Sequence, residues 1–102
     1  MAEVLHVNTE EFQNIIKEKE LVFVDFYADW CGPCKMLAPS VDKLAAEHPE
    51  VQVVKVNTDE EPQLAMSYQI QSIPALLVFK NGEMVNRQLG FMPYQALEDM
   101  IK

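Results

Sequence analysis

The chain has 102 residues, about half of them apolar, and sets eight basic side chains against sixteen acidic ones for a net charge of −8. That length fits one core and not two, so a single domain over residues 1–102 is expected. The negative balance disfavours nucleic acid and anionic membrane surfaces as partners, and the longest apolar runs, LVFV and ALLVF, are too short to cross a bilayer. The first residues, MAEVLHVNTEEF, have neither a basic start nor a continuous apolar stretch. No secretory leader is expected, and the cytoplasm is the expected compartment. Two cysteines there make a poor structural staple, and a bridge across three positions closes too small a loop to restrain the unfolded chain.

In chain order, VLHV at 4–7 reads as a short strand, and Thr9 is placed to cap a helix that buries Phe12, Ile15 and Ile16. LVFVDFY at 21–27 is apolar throughout except for Asp25, the pattern of a strand covered on both faces. Leu37, Val41, Leu44 and Ala45 then recur at helical spacing up to about His48, with Pro39 inside the helix and expected to bend it. VQVVKV at 51–56 is another strand, and Thr58 or Asp59 is positioned to cap a short helix carrying Leu64, Ala65 and Tyr68. ALLVFK, Asn81-Gly82 and EMVNRQL together read as a hairpin closed by a type I′ turn. Pro93 opens a last helix with Tyr94, Leu97 and Ile101 on one face. Strands alternating with helices and ending in a hairpin imply an α/β sandwich, its sheet parallel at first and antiparallel at one edge.

Both cysteines stand in VDFYADWCGPCKMLAP, two residues apart and directly after the buried strand. A strand-to-helix turn puts Cys31 at the helix mouth and Cys34 in the first turn, on one face, where their sulfurs can bond. The free N–H groups of a helix start favour an anion, so Cys31 is the expected exposed, acidic nucleophile. Cys34, one turn deeper, is the expected shielded, resolving thiol. Gly32 permits close approach, and Pro33 withholds one N–H from the sulfur. Structural zinc wants four ligands where this motif offers two, and Lys35 in place of histidine removes the covalent haem motif. No metal is expected.

Asp25 admits two readings: a strand-end carboxylate reaching solvent, or a buried carboxyl of raised pKa beneath the cysteine turn that takes the proton of Cys34. Lys55, in the neighbouring strand, is a candidate partner tuning it, or a lysine snorkelling outward. Pro74 cannot donate to a ladder and should begin its strand, and Trp30 beside Cys31 is expected to serve as a contact surface.

These pieces together resemble the thioredoxin family over essentially the whole chain. WCGPCK at 30–35 matches its active-site motif, and the likeness continues in the aspartate of VDFYADW, the lysine of VVKVN followed by Asp59, the proline of SIPALLVF, the turn in FKNGE, and Gly90. The resemblance implies a central mixed sheet of about five strands flanked by about four helices in three layers. It implies that Pro74 is cis and faces the cysteines, that Gly32, Pro33 and Lys55 tune the redox pair, and that extended substrates dock beside Ile73. The docking rim would comprise Trp30, Gly32, Pro33, Ile73, Pro74 and Gly90. It implies a monomeric general protein-disulfide reductase that binds no cofactor, is re-reduced by thioredoxin reductase and acts on disulfide-containing proteins. Disulfide oxidation or isomerisation uses the same fold, but Gly-Pro between the cysteines resembles the reducing members. Tyr27, Ser72, Ala75 and Phe91 depart from the commonest residues at their positions and bear on partner choice.

Overall fold

The structure, a computed structural model, describes residues 3–102. Its elements in order are β1 (Val4–His6), α1 (Thr9–Glu18), β2 (Leu21–Tyr27), α2 (Gly32–Glu47), β3 (Gln52–Asn57), α3 (Pro62–Ser67), β4 (Ala75–Lys80), β5 (Glu83–Leu89) and α4 (Tyr94–Met100). The strands form one sheet in the order β1-β3-β2-β4-β5. β1 and β2 each run parallel to β3, whereas β4 runs antiparallel to both β2 and β5. The mixed sheet expected from the sequence is therefore the one observed.

β2 is the central strand, and its alternate side chains divide between two cores. Val22, Val24 and Phe26 pack with Phe12, Val54, Val56, Leu64 and Leu77 beneath α1 and α3. Phe23 packs with Leu37, Val41, Leu44, Val53, Leu76 and Leu97 beneath α2 and α4. Phe12, Tyr68 and Phe79 meet edge-on, with ring centroids 5.7–5.8 Å apart, which locks α1 and α3 to the sheet.

Three helix starts differ from the sequence expectation. Asn8, not Thr9, caps α1: its Oδ1 accepts from the Glu11 N–H while Glu11 Oε1 accepts from the Asn8 N–H, both at 2.9 Å. This reciprocal box satisfies two donors, so it prevails over the single bond Thr9 could offer. The Thr9 hydroxyl instead donates to Glu61 Oε1 at 2.8 Å. Neither Thr58 nor Asp59 caps α3, which begins at Pro62. The turn ahead of α3 is held by Asn57, whose Oδ1 accepts from the Asp59 and Glu60 N–H groups. Pro93 lies one position outside α4 rather than within it.

α2 continues through Pro39 to Glu47. The hairpin turn has positive φ at both Asn81 (53°) and Gly82 (86°), as a type I′ turn requires. Val78 pairs with Asn86 and Phe79 with Met84, leaving Val85 as a bulge.

Candidate active site

β2 ends in the middle of the sheet, and the chain passes through Ala28, Asp29 and Trp30 to Cys31, which caps α2. The Cys31 N–H donates to the Ala28 carbonyl at 3.2 Å, closing the turn. Cys31 and Cys34 are joined by a disulfide, with Cα atoms 5.3 Å apart. The Cys34 N–H points at Cys31 Sγ at 3.2 Å. Pro33 offers no N–H, so this is the first donor of the helix interior that can reach the sulfur. Once the bond is reduced, a backbone dipole and the helix N-terminus both favour negative charge on Cys31.

The expected difference in exposure between the sulfurs is absent from the bonded form: Cys31 and Cys34 are each only 4% exposed. Sheet topology supplies the reason. Phe26 on β2 lies opposite Ala75 on β4, so the turn after β2 and the loop before β4 meet at one end of the sheet. Ile73 thereby packs against the disulfide, and Cys31 Sγ lies 3.7 Å from the Ile73 carbonyl oxygen. The Ile73–Pro74 peptide is cis, and Pro74 is buried directly ahead of β4. Its carbonyl accepts from the Gly90 N–H at 2.7 Å. Gly90 has φ +91°, a left-handed conformation that excludes most side chains, although space for a Cβ exists.

Trp30 is 70% exposed, yet its indole is anchored: Nε1 donates to Asp59 Oδ2 at 2.9 Å. No local pattern signals this pair, because the two residues lie 29 positions apart. Asp59 thus serves Trp30 and not the start of α3, whose N-cap, Glu61, has no side-chain capping bond. Phe91, following Gly90, leaves an exposed ring on the same chain segment.

Asp25 does not reach solvent. It is fully buried, and neither carboxylate oxygen has a hydrogen-bond partner among the described residues. Burial pushes its pKa up from 3.8 to about 6, with the Lys55 charge pulling partly the other way. Asp25 and Lys55 are directly opposed on β2 and β3. They make no ion pair, and Lys55 Nζ instead lies over the Tyr27 ring, 4.5 Å from its centroid. A cavity of about 250 Å³ behind the disulfide is lined by Cys34, Tyr27 and Lys55 together with His6, Asp29 and Lys35. A larger cleft, about 710 Å³, lies along α3 between Thr58 and Gln71 and includes no cysteine.

Neither histidine joins the sulfurs as a metal ligand would. His6 lies 3.3 Å from the Tyr27 hydroxyl, and His48 is held by Glu50 and Glu98 near the far end of α2.

A vicinal cysteine pair at a helix start, opposed by a cis-proline loop on a central mixed sheet, defines a dithiol–disulfide oxidoreductase. The comparisons with known proteins agree. The Thioredoxin family model matches residues 3–102, and the chain belongs to the thioredoxin family. It is 41% identical over 103 residues to "Thioredoxin" of Haemophilus influenzae, covering 99% of this chain and 96% of that one. It is 46% identical over 102 residues to the chloroplastic M-type thioredoxin of Spinacia oleracea, covering 98% of this chain but only 56% of the spinach protein. Among solved structures, a mutant thioredoxin from Halobacterium salinarum superposes with a TM-score of 0.91 at 40% identity, covering 97% of this chain and 88% of that one.

Proposed function

We propose that this chain is a general dithiol reductant of protein disulfides. The observation that carries the reading is Cys31 at the cap of α2, its sulfur faced by the Cys34 N–H, with the buried carboxyl of Asp25 in the sheet behind. The Cys31 thiolate attacks one sulfur of a substrate disulfide. A Cys31–substrate bond forms, the substrate's own bond breaks, and the first substrate sulfur leaves as a thiolate. Cys34 then gives its proton to the Asp25 carboxylate, and its sulfur attacks Cys31 Sγ. The Cys31–Cys34 bond forms, the mixed disulfide breaks, and the second substrate sulfur leaves as a thiolate. Two electrons have passed from the dithiol to the substrate.

A carboxyl with a pKa near 6 suits this task, because it is ionised at neutral pH yet basic enough to accept a thiol proton. The rim of Trp30, Gly32, Pro33, Ile73, Pro74 and Gly90 would receive an extended substrate segment alongside Ile73. Gly32, Pro33 and Lys55 would set the poise of the pair. Thioredoxin reductase is the proposed electron donor, and a cytoplasmic monomer without a bound cofactor the proposed working form.

Reduction of insulin disulfides with a panel of thioredoxin reductases tests the activity, and equilibration with glutathione tests its direction. The reading expects turnover with at least one reductase and an oxidised form that resists a mild glutathione buffer. Ready reduction by that buffer would make the chain an oxidase or isomerase instead.

A further inference from the structure

Lys55 starts level with Asp25 but does not end there. The two residues oppose each other on adjacent strands, and alternation places both, with Tyr27 two positions on, on the α2 side of the sheet. The ammonium stops over the Tyr27 ring, 4.5 Å from its centroid, while both Asp25 oxygens stay without a hydrogen bond among the described residues. Tyr27, Lys55 and Cys34 line one cavity. A half-buried lysine with a flexible stem would otherwise extend its strongly hydrated head into bulk water. The electron-rich face of the ring offers it a nearer resting place.

We propose that Tyr27 is a positioning residue for the reaction: its ring holds the Lys55 ammonium in the cavity behind Cys34, where that charge acts on Asp25 through space. The proposal rests on the reading of Asp25 as the base for Cys34. The other charged or titratable groups around this cavity are His6 from β1, Asp29 from the turn after β2 and Lys35 from α2, with Glu60 beyond β3 acting on Tyr27. Burial raises the Tyr27 phenol most, a hydrogen bond with Asn57 opposes it in part, and the charges of Asp29, Glu60 and Asp25 add to the rise, so the ring stays neutral. Ring and hydroxyl are separable by Tyr27→Phe, which keeps the ring's face to Lys55 and its edge-on contact with the His6 ring, 6.0 Å between centroids, and removes only the hydroxyl 3.3 Å from His6 Nδ1.

Without the ring, the ammonium moves into water, its pull on Asp25 is screened, and the carboxyl becomes harder to ionise. The test is the titration of Asp25, followed by carboxyl ¹³C NMR on the reduced full-length chain. Tyr27→Leu should raise its midpoint by about half a pH unit and Lys55→Met by about one unit. Tyr27→Phe should leave it in place, and Tyr27→Leu should add nothing once Lys55→Met is present. A midpoint that falls or stays put in Tyr27→Leu, or that rises equally with and without Lys55, overturns the proposal. The pH profile of mixed-disulfide resolution, measured in the same variants, tests the separate premise. Should the Asp25 midpoint move as stated while the rate profile does not follow it, the base role fails and the Tyr27–Lys55 coupling stands.

Discussion

The two ends of α2 handle polar groups in opposite ways. Near its N-terminus, Asp25 lies buried without a hydrogen bond among the described residues, and the sulfur of Cys31 occupies the cap. At its C-terminus, His48 is met on both ring nitrogens by carboxylates, Glu98 at 2.8 Å and Glu50 at 3.3 Å. Tyr94 donates to Glu47 at 2.7 Å, and Lys43 lies over the Tyr94 ring. Carboxylates only accept, so a histidine between two of them is served best as the imidazolium. The C-terminal end ties α4 to the rest of the molecule and satisfies its charges. The N-terminal end leaves a carboxyl without a hydrogen bond among the described residues, and its burial raises the pKa to about 6.

The largest effect expected from breaking this contrast is at the cysteines. Cys31→Ser should abolish insulin reduction outright, whereas Cys34→Ser should attack once and accumulate mixed disulfides through Cys31, visible by mass spectrometry. Equal trapping by both variants would show that the division of labour between the sulfurs is misassigned.

Next in size is Asp25→Asn. Resolution of the mixed disulfide should slow by about 10²-fold near pH 7, in the range usual for loss of a general base. Stability should move the other way. The folded-state pKa of Asp25 is raised from 3.8 to about 6, so the native chain binds more protons than the unfolded one in that window and loses stability as pH rises through it. Complete ionisation costs roughly 3 kcal/mol at pH 7. Denaturant titrations should find Asp25→Asn more stable than the parent at pH 7 and no more stable at pH 3.

The smallest effect belongs to the other end of the helix. His48 has its pKa raised above 6.5, chiefly by the hydrogen bond to Glu98. Its contribution is therefore full below pH 6.5 and lost as pH rises through the raised value. Partial exposure holds that contribution to about 1 kcal/mol or less. His48→Gln should destabilise the chain slightly at pH 5.5 and hardly at all at pH 9, with insulin reduction unchanged. A loss of turnover in this variant would mean that the two ends are coupled.

Much of this was legible in the sequence because the signals were local or periodic. Burial of β2 on both faces followed from LVFVDFY, the hairpin from Asn81-Gly82, and the cysteine turn from WCGPC between a strand and a helical repeat. The start of α1 was legible too, because Asn8 three positions ahead of Glu11 is the local spacing of a capping box, one position before Thr9. The Trp30–Asp59 bond and the seat of Lys55 on Tyr27 depend on strand register, which no local pattern states. The equal burial of the two sulfurs follows from a loop about 40 residues downstream folding back over them. Spacing within the motif could not show that.

The central claim is that Cys31, at the open end of α2, is ionised and reactive while Cys34 is held back as a thiol. Alkylation of the reduced chain across a pH series, with each modified site located by mass spectrometry, tests it most directly. Cys31 should react first, faster than free glutathione in mildly acidic buffer. Modification of Cys34 ahead of Cys31, or a Cys31 rate no greater than that of glutathione, would contradict the account.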